Sequence, residues 1–150
     1  MAGTDLLAAF TAPLDVFGMQ TSALPYPAFD LPQAELHAAL ARRRAYLHPY
    51  RWTSLGLSLI EAMMIGLPVV ALAATEAVEA VPQDAGVLST RLPVLVEALS
   101  AFVGDPALAS QYGKAARAAA RSRYGIARFL ADWDGLLGSS AGNPVRHVAR

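Results

Sequence analysis

A doubly wound α/β layer, with a parallel sheet covered by helices on both faces, is the fold class that this sequence predicts. Segments of strand character alternate with segments of helical period. The strand segments are unbroken apolar runs, as in Pro68-Val69-Val70-Ala71-Leu72, rather than the polar–apolar alternation of a sheet with one wet face. The chain has 150 residues, 55% of them hydrophobic. A domain of that size buries roughly two-thirds of its unfolded surface, enough for one real core.

The elements follow in order. Leu14-Asp15-Val16-Phe17-Gly18-Met19 is a short apolar run ending on glycine and reads as a strand. Residues 20–29 carry Ser, Thr and two Pro and read as loop. A helix is expected from Asp30, which can N-cap it, with Pro32 in the first turn and Gln33 in a capping-box-like position. Leu36, Ala39, Leu40 and Arg43 follow at helical spacing, and Arg42, Arg43 and Arg44 suit a solvated helix end at the negative pole of its dipole. Residues 45–48 form the next strand, 57–65 a helix, 68–72 a strand, 75–81 a short helix and 85–88 a short strand. Thr90 can cap a helix over 91–103, where Leu92, Leu95, Val96, Leu99 and Phe102 keep the 3.6-residue period. Asp105-Pro106 supplies cap and first-turn proline for a helix to about Tyr124, and 126–137 is the last helix. The domain is expected over 1–138. Residues 139–150 mix Ser, Gly, Asn and Pro without periodicity and read as a disordered tail.

Composition excludes several functions. Twelve Lys and Arg balance twelve Asp and Glu. The chain therefore lacks the basic footprint of a nucleic-acid binder, and no nucleic-acid partner is expected. With no cysteine there is no disulfide, thiol nucleophile or thiolate metal site. No two histidines have ligand spacing, so no protein-held metal is expected. Residues 1–5 carry no basic n-region, which argues against a secretory signal and for a cytoplasmic location. The run 57–74 is long enough to span a bilayer, but Gly66 and Pro68 cut it. It reads as a buried helix, a turn and a buried strand.

In doubly wound sheets ligands bind at the carboxyl ends of the strands, which directs attention to the residues after Leu47 and Leu72. After Leu47 the chain reads His48-Pro49-Tyr50-Arg51-Trp52-Thr53-Ser54-Leu55-Gly56-Leu57. A polar and aromatic loop thus leads to a glycine at a helix start. The free N–H groups there, with the helix dipole, suit a phosphate, and glycine permits close backbone approach. Glu61 lies about one turn into an apolar helix. An unpaired carboxylate in that setting needs a partner, such as Arg51 or Arg44, or a ligand such as a ribose or sugar diol.

The central stretch carries a resemblance. Its Pro49, its Leu55-Gly56-Leu57, its Leu59-Ile60-Glu61-Ala62-Met63, its Gly66-Leu67-Pro68 and its Val69-Val70-Ala71 are similar to the donor-binding core of group 1 glycosyltransferases. These are retaining enzymes of the GT-B fold, in which two Rossmann-like lobes face each other across a cleft. The likeness continues through 75–81, 85–88, Asp105-Pro106, Gly113 and Ala116-Arg117, and more faintly upstream at 15–19. It implies a Rossmann-like donor lobe, truncated at its N-terminal side and finished by C-terminal helices. It also implies a nucleotide-diphosphate sugar as substrate, a hexose transferred to an acceptor hydroxyl, and no cofactor beyond that substrate.

In that family two glutamates eight positions apart mark the site. The later one is similar to Glu61 and is implied to hold the nucleotide ribose. The earlier falls on Thr53, a neutral hydroxyl in the position implied to lie near the transferred sugar. Ser54, Leu55, Gly56 and Leu57 match the segment implied to contact sugar and diphosphate, with His48 and Arg51 bordering it. The family's basic diphosphate clamp and its acceptor lobe have no counterpart in the sequence. The isolated chain is therefore expected to be inactive, its partner being an N-terminal acceptor lobe.

Blander readings stand beside these. His48 can be a structural histidine; His37 and His147 look incidental. Glu79 matches the family pattern, although acids also suit a helix start. Lys114, Arg117, Arg121, Arg123 and Arg128 form a basic stripe that reads as a solvated face able to touch an anionic membrane surface or another lobe. The alternative function is a non-catalytic nucleotide- or partner-binding domain that dimerises through an exposed sheet edge.

Overall fold

The computed structural model describes residues 3–19 and 21–141. Its centre is a three-stranded parallel sheet of β3 (Tyr46–His48), β4 (Val69–Leu72) and β5 (Gly86–Ser89), in that spatial order. Tyr46 pairs with Val69 and Val69 with Gly86. A separate parallel pair joins β1 (Val16–Phe17) to β2 (Ala28–Phe29). The helices are α1 (Gln33–Leu40), α2 (Leu57–Ile65), α3 (Ala77–Ala80), α4 (Leu92–Gly104), α5 (Pro106–Tyr124) and α6 (Ile126–Ala141). A 3₁₀ turn at Thr4–Ala9 precedes β1, and a second lies at Thr21–Ala23.

The unbroken apolar character of β4 has a direct cause: both of its faces are covered. Val69 and Ala71 pack with Leu59 and Met63 of α2 and with Ala116 and Ala120 of α5. Val70 points the other way, into Leu95, Leu99 and Phe102 of α4 and Phe10. Leu40, Ala62 and Leu67 form a smaller cluster where α1 meets α2. The run 57–74 is thus a helix, a left-handed glycine turn at Gly66 (φ 97°) and a buried strand. Among the described residues no single helix is long and apolar enough to cross a membrane.

Two glycines set how closely these parts approach. A Cβ on Gly113 would lie 2.1 Å from the carbonyl oxygen of Gly66, so α5 rests directly on the turn that ends α2. A Cβ on Gly86 would lie 2.3 Å from the Val69 carbonyl oxygen.

Several expectations are corrected. The strand at 14–19 shrinks to two residues and pairs with β2, inside the stretch read as loop, instead of joining the main sheet. The first helix starts at Gln33 with Pro32 in the cap position and no side-chain cap, because Leu31-Pro32 separates Asp30 from the first turn. Arg43 is not a solvated helix end. Its guanidinium bonds Asp15 at 2.5 Å, donates to the Ala39 carbonyl, and lies over the stacked rings of Phe17 and Phe29. It thereby ties the small sheet to α1. Ahead of α4, Ser89 rather than Thr90 takes the Arg91 N–H, at 3.0 Å. Helix α6 runs on to Ala141, past the expected boundary at 138; the rest of the expected tail, 142–150, lies outside the described residues.

Asp105 caps α5 as expected, accepting from the amides of Ala107 (2.9 Å) and Leu108 (3.0 Å). Losing such a cap costs about 1 kcal/mol, so Asp105→Ala should lower the melting temperature by roughly 2–4 °C in a chain of this size. Asp105→Ser should restore it; calorimetry on the three proteins checks this.

Helix α6 packs lightly. Ile126, Phe129, Leu130, Trp133 and Leu137 recur at helical spacing and are each about half or more exposed.

Candidate functional site

The site is built where β3 ends. The loop from Pro49 turns back to Gly56, which opens α2 in an extended conformation (φ −73°, ψ 124°). No side chain caps this helix, and the amides of Gly56, Leu57 and Ser58 have no partner among the described residues; those of Leu59 and Ile60 already bond Gly56 oxygen. Uncapped amides at a helix N-terminus beside strand ends form a site of positive potential. Gly56 packs closely over His48: an added Cβ would lie 3.3 Å from its Cε1.

His48 is 2% exposed and is the one buried polar side chain among the described residues. Its ring lies between those of Tyr46 and Tyr50, with centroids 5.8 and 4.7 Å away. Nδ1 is 3.3 Å from the Tyr46 hydroxyl, which donates onward to Ser58 Oγ at 2.9 Å. Burial pushes the His48 pKa down to about 4 and the Tyr46 phenol up to about 12. Both are neutral near pH 7.

Glu61 leads to a second correction. Neither Arg51 nor Arg44 reaches it. Its Oε1 is 3.4 Å from Gln33 Nε2 and 3.7 Å from His37 Nε2, both on α1. Arg51 instead makes a bidentate pair with Asp5, two bonds of 2.6 Å that hold the Asp5 carboxyl below its usual range. This pair draws the N-terminal 3₁₀ turn over the loop, and a Cβ on Gly3 would lie 2.0 Å from Pro49 oxygen.

Beneath that turn, at the carboxyl ends of β4 and β5, lies a pocket of about 310 Å³ lined by Leu6, Arg51, Leu72, Ala73, Ala74 and Thr90, with Leu92. Glu61, Gly56 and Thr53 do not line it; Arg51 belongs to both regions. Thr75, just past Ala74, holds a left-handed φ of 50°, a strained conformation for a β-branched residue at the edge of a site.

The profile of "Glycosyl transferases group 1" matches residues 28–119, the span from β2 into α5 that contains all of these groups except the N-terminal turn. The chain belongs to the group 1 glycosyl transferase family. The fold is similar to that of sucrose-phosphate synthase from Thermosynechococcus elongatus, at 20% identity and a TM-score of 0.75 over 92% of this chain and 42% of that one. It is also similar to a TarM mutant from S. aureus, solved with fondaparinux, α-GlcNAc-glycerol and UDP, at 18% identity and a TM-score of 0.67 over 90% and 31%. The chain therefore spans less than half the length of either. No curated protein matches it.

Within this member of the family, the expected site residues fall into two groups. His48, Gly56 and the start of α2 come together, with Leu55 half-buried and Leu57 79% exposed. Thr53 is half-buried and Ser54 exposed in the connecting loop. Glu79 is exposed and 3.7 Å from Arg123, whose guanidinium also bonds the Glu79 carbonyl. Of the basic stripe, Arg123 and Arg128 are thus engaged, Arg128 with Asp132 at 3.3 Å. The sequence reading missed Asp5, Gln33 and His37, which reach the site from distant positions in the chain.

The dehydration of His48 has a sign that can be measured. Its folded pKa is depressed, so between about 6.5 and about 4 the unfolded chain binds the proton more readily. Its contribution to stability is full above pH 6.5 and is lost as the pH falls toward 4. Urea midpoints measured from pH 7 to 4.5 should fall more steeply for the wild type than for His48→Gln. Parallel curves would contradict the burial argument.

Proposed function

We propose that this chain is the donor-binding half of a retaining glycosyltransferase, one that moves a hexose from a nucleoside diphosphate to an acceptor hydroxyl. The observation that carries the reading is the uncapped start of α2 at Gly56, inside the span matched by the family. The open amides of Gly56, Leu57 and Ser58 would steady the leaving diphosphate. A neutral site of this kind binds phosphate without an excess of Lys or Arg. Glu61 would accept from the ribose hydroxyls, and Thr53 and Ser54 would approach the transferred sugar from the loop that leads to Gly56. UDP in the TarM structure supports a nucleoside diphosphate as the ligand class.

Transfer also needs an acceptor site and a cation for the diphosphate, which other parts of a longer protein would supply. Isothermal titration with UDP, GDP and their hexose conjugates tests the donor site: saturable binding is expected, and no binding at millimolar ligand overturns the reading. Turnover of a nucleotide sugar by these 150 residues alone would overturn the assignment of a half-site.

Thr53 favours a second reading, a domain that binds a nucleotide or a partner without catalysis. A hydroxyl there offers no charge to a developing oxocarbenium ion. The outer edges of β3 and β5 carry no further strand among the described residues, and pairing there would give a dimer. A stable dimer in sedimentation, with no nucleotide bound, would select this reading.

A further inference from the structure

Glu61 stands on an apolar helix, and no arginine or lysine pairs with it among the described residues. What faces it is one side of α1. Gln33 and His37 are four residues apart and so project from the same face of that helix. Both turn a nitrogen toward the same oxygen, Oε1, at 3.4 and 3.7 Å. No hydrogen bond to Oε2 forms among the described residues.

His37 Nε2 is the telling atom. It is shut off from solvent and lacks a hydrogen-bond partner, the only such side-chain atom among the described residues. Buried polar atoms are rarely left in that state, and an orphan calls for an explanation. A separation of 3.7 Å lies just beyond hydrogen-bond length, so a shift of under about 1 Å in either side chain completes the bond.

We propose that His37 is a positioning residue for Glu61. Its Nε2–H closes onto Oε1 when the site fills, fixes the plane of the carboxylate with Gln33, and leaves Oε2 turned to the vicinal hydroxyls of a ribose. This rests on the donor-site reading above, in which Glu61 holds that ribose. It adds α1 to the site and makes the preference for ribose over deoxyribose depend on a residue that never touches the nucleotide.

The test is calorimetric titration of the full chain with UDP and GDP and with their 2′-deoxy counterparts. The wild type is expected to favour the ribonucleotide by about tenfold, the usual scale for one hydrogen bond to a charged group. His37→Ala should lower that ratio to about twofold, weakening the ribonucleotide more than the deoxy form, and His37→Gln, which returns a donor, should recover most of it. If His37→Ala melts early, His37→Leu fills the volume without a donor and should give the same ratio. A wild-type ratio in both donorless variants would overturn the proposal and leave the donor site standing. A wild type that binds neither nucleotide would overturn the donor site, and this proposal with it.

Discussion

Gly113→Ala is expected to destabilise the fold by about 2 kcal/mol or more, although helix propensity alone predicts the opposite sign. Alanine is favoured over glycine inside a helix by about 1 kcal/mol, and Gly113 lies within α5. Against that stands the carbonyl oxygen of Gly66, 2.1 Å from where the new methyl would sit. This is backbone, and it belongs to the left-handed turn that ends α2, so it cannot rotate aside as a side chain would. Helix α5 must lift, which opens the packing of Ala116 and Ala120 against Leu59, Met63 and Val69. Overpacking of a rigid core commonly costs about 1–3 kcal/mol and sometimes more, and here it overrides the propensity gain. At roughly 2–4 °C per kcal/mol, the melting temperature should fall by roughly 4–8 °C. Gly135→Ala is the matched control: it is also helical, and an added Cβ there meets nothing within 4 Å. It should leave the melting temperature unchanged or raise it slightly. Equal effects at the two positions would rule out the contact as the cause.

The second large effect is expected at Glu61. Removing a charged acceptor from a bound hydroxyl costs about 1.5–3 kcal/mol, so Glu61→Ala should weaken nucleoside diphosphate binding roughly 10- to 100-fold. The fold itself should change little, because the side chain is 31% exposed and its neighbours on α1 hold it only at 3.4 and 3.7 Å. Titration calorimetry and a melting curve on the same preparation separate the two outcomes. An unchanged dissociation constant in a folded variant would remove Glu61 from the binding site.

How legible each part was in the sequence depended on how local its cause is. Helices α2 and α5 are found at the residues expected, since apolar spacing, the Gly66 stop and the Asp105-Pro106 start are all written within a few positions. Strand β2 is two residues between Pro27 and Asp30, with no pattern of its own; only its pairing with β1 makes it a strand. The site divides the same way. Gly56, His48 and the start of α2 could be placed from one continuous segment. That His48 is dehydrated could not, because this depends on Tyr46, Tyr50 and Gly56 closing around it. Glu61 announced its need of a partner but not the partner's identity: Gln33 lies 28 positions away, and Arg51 was already taken by Asp5 across 46.

The open stripe along α6 has a consequence for the isolated chain as a colloid. Ile126, Phe129, Leu130, Trp133 and Leu137 offer short-range attraction, while a net charge of zero offers no long-range repulsion to oppose it. With an isoelectric point near 6.8, the solubility minimum falls in ordinary neutral buffer, and moving the pH away from it is the simplest way to keep copies of the chain apart.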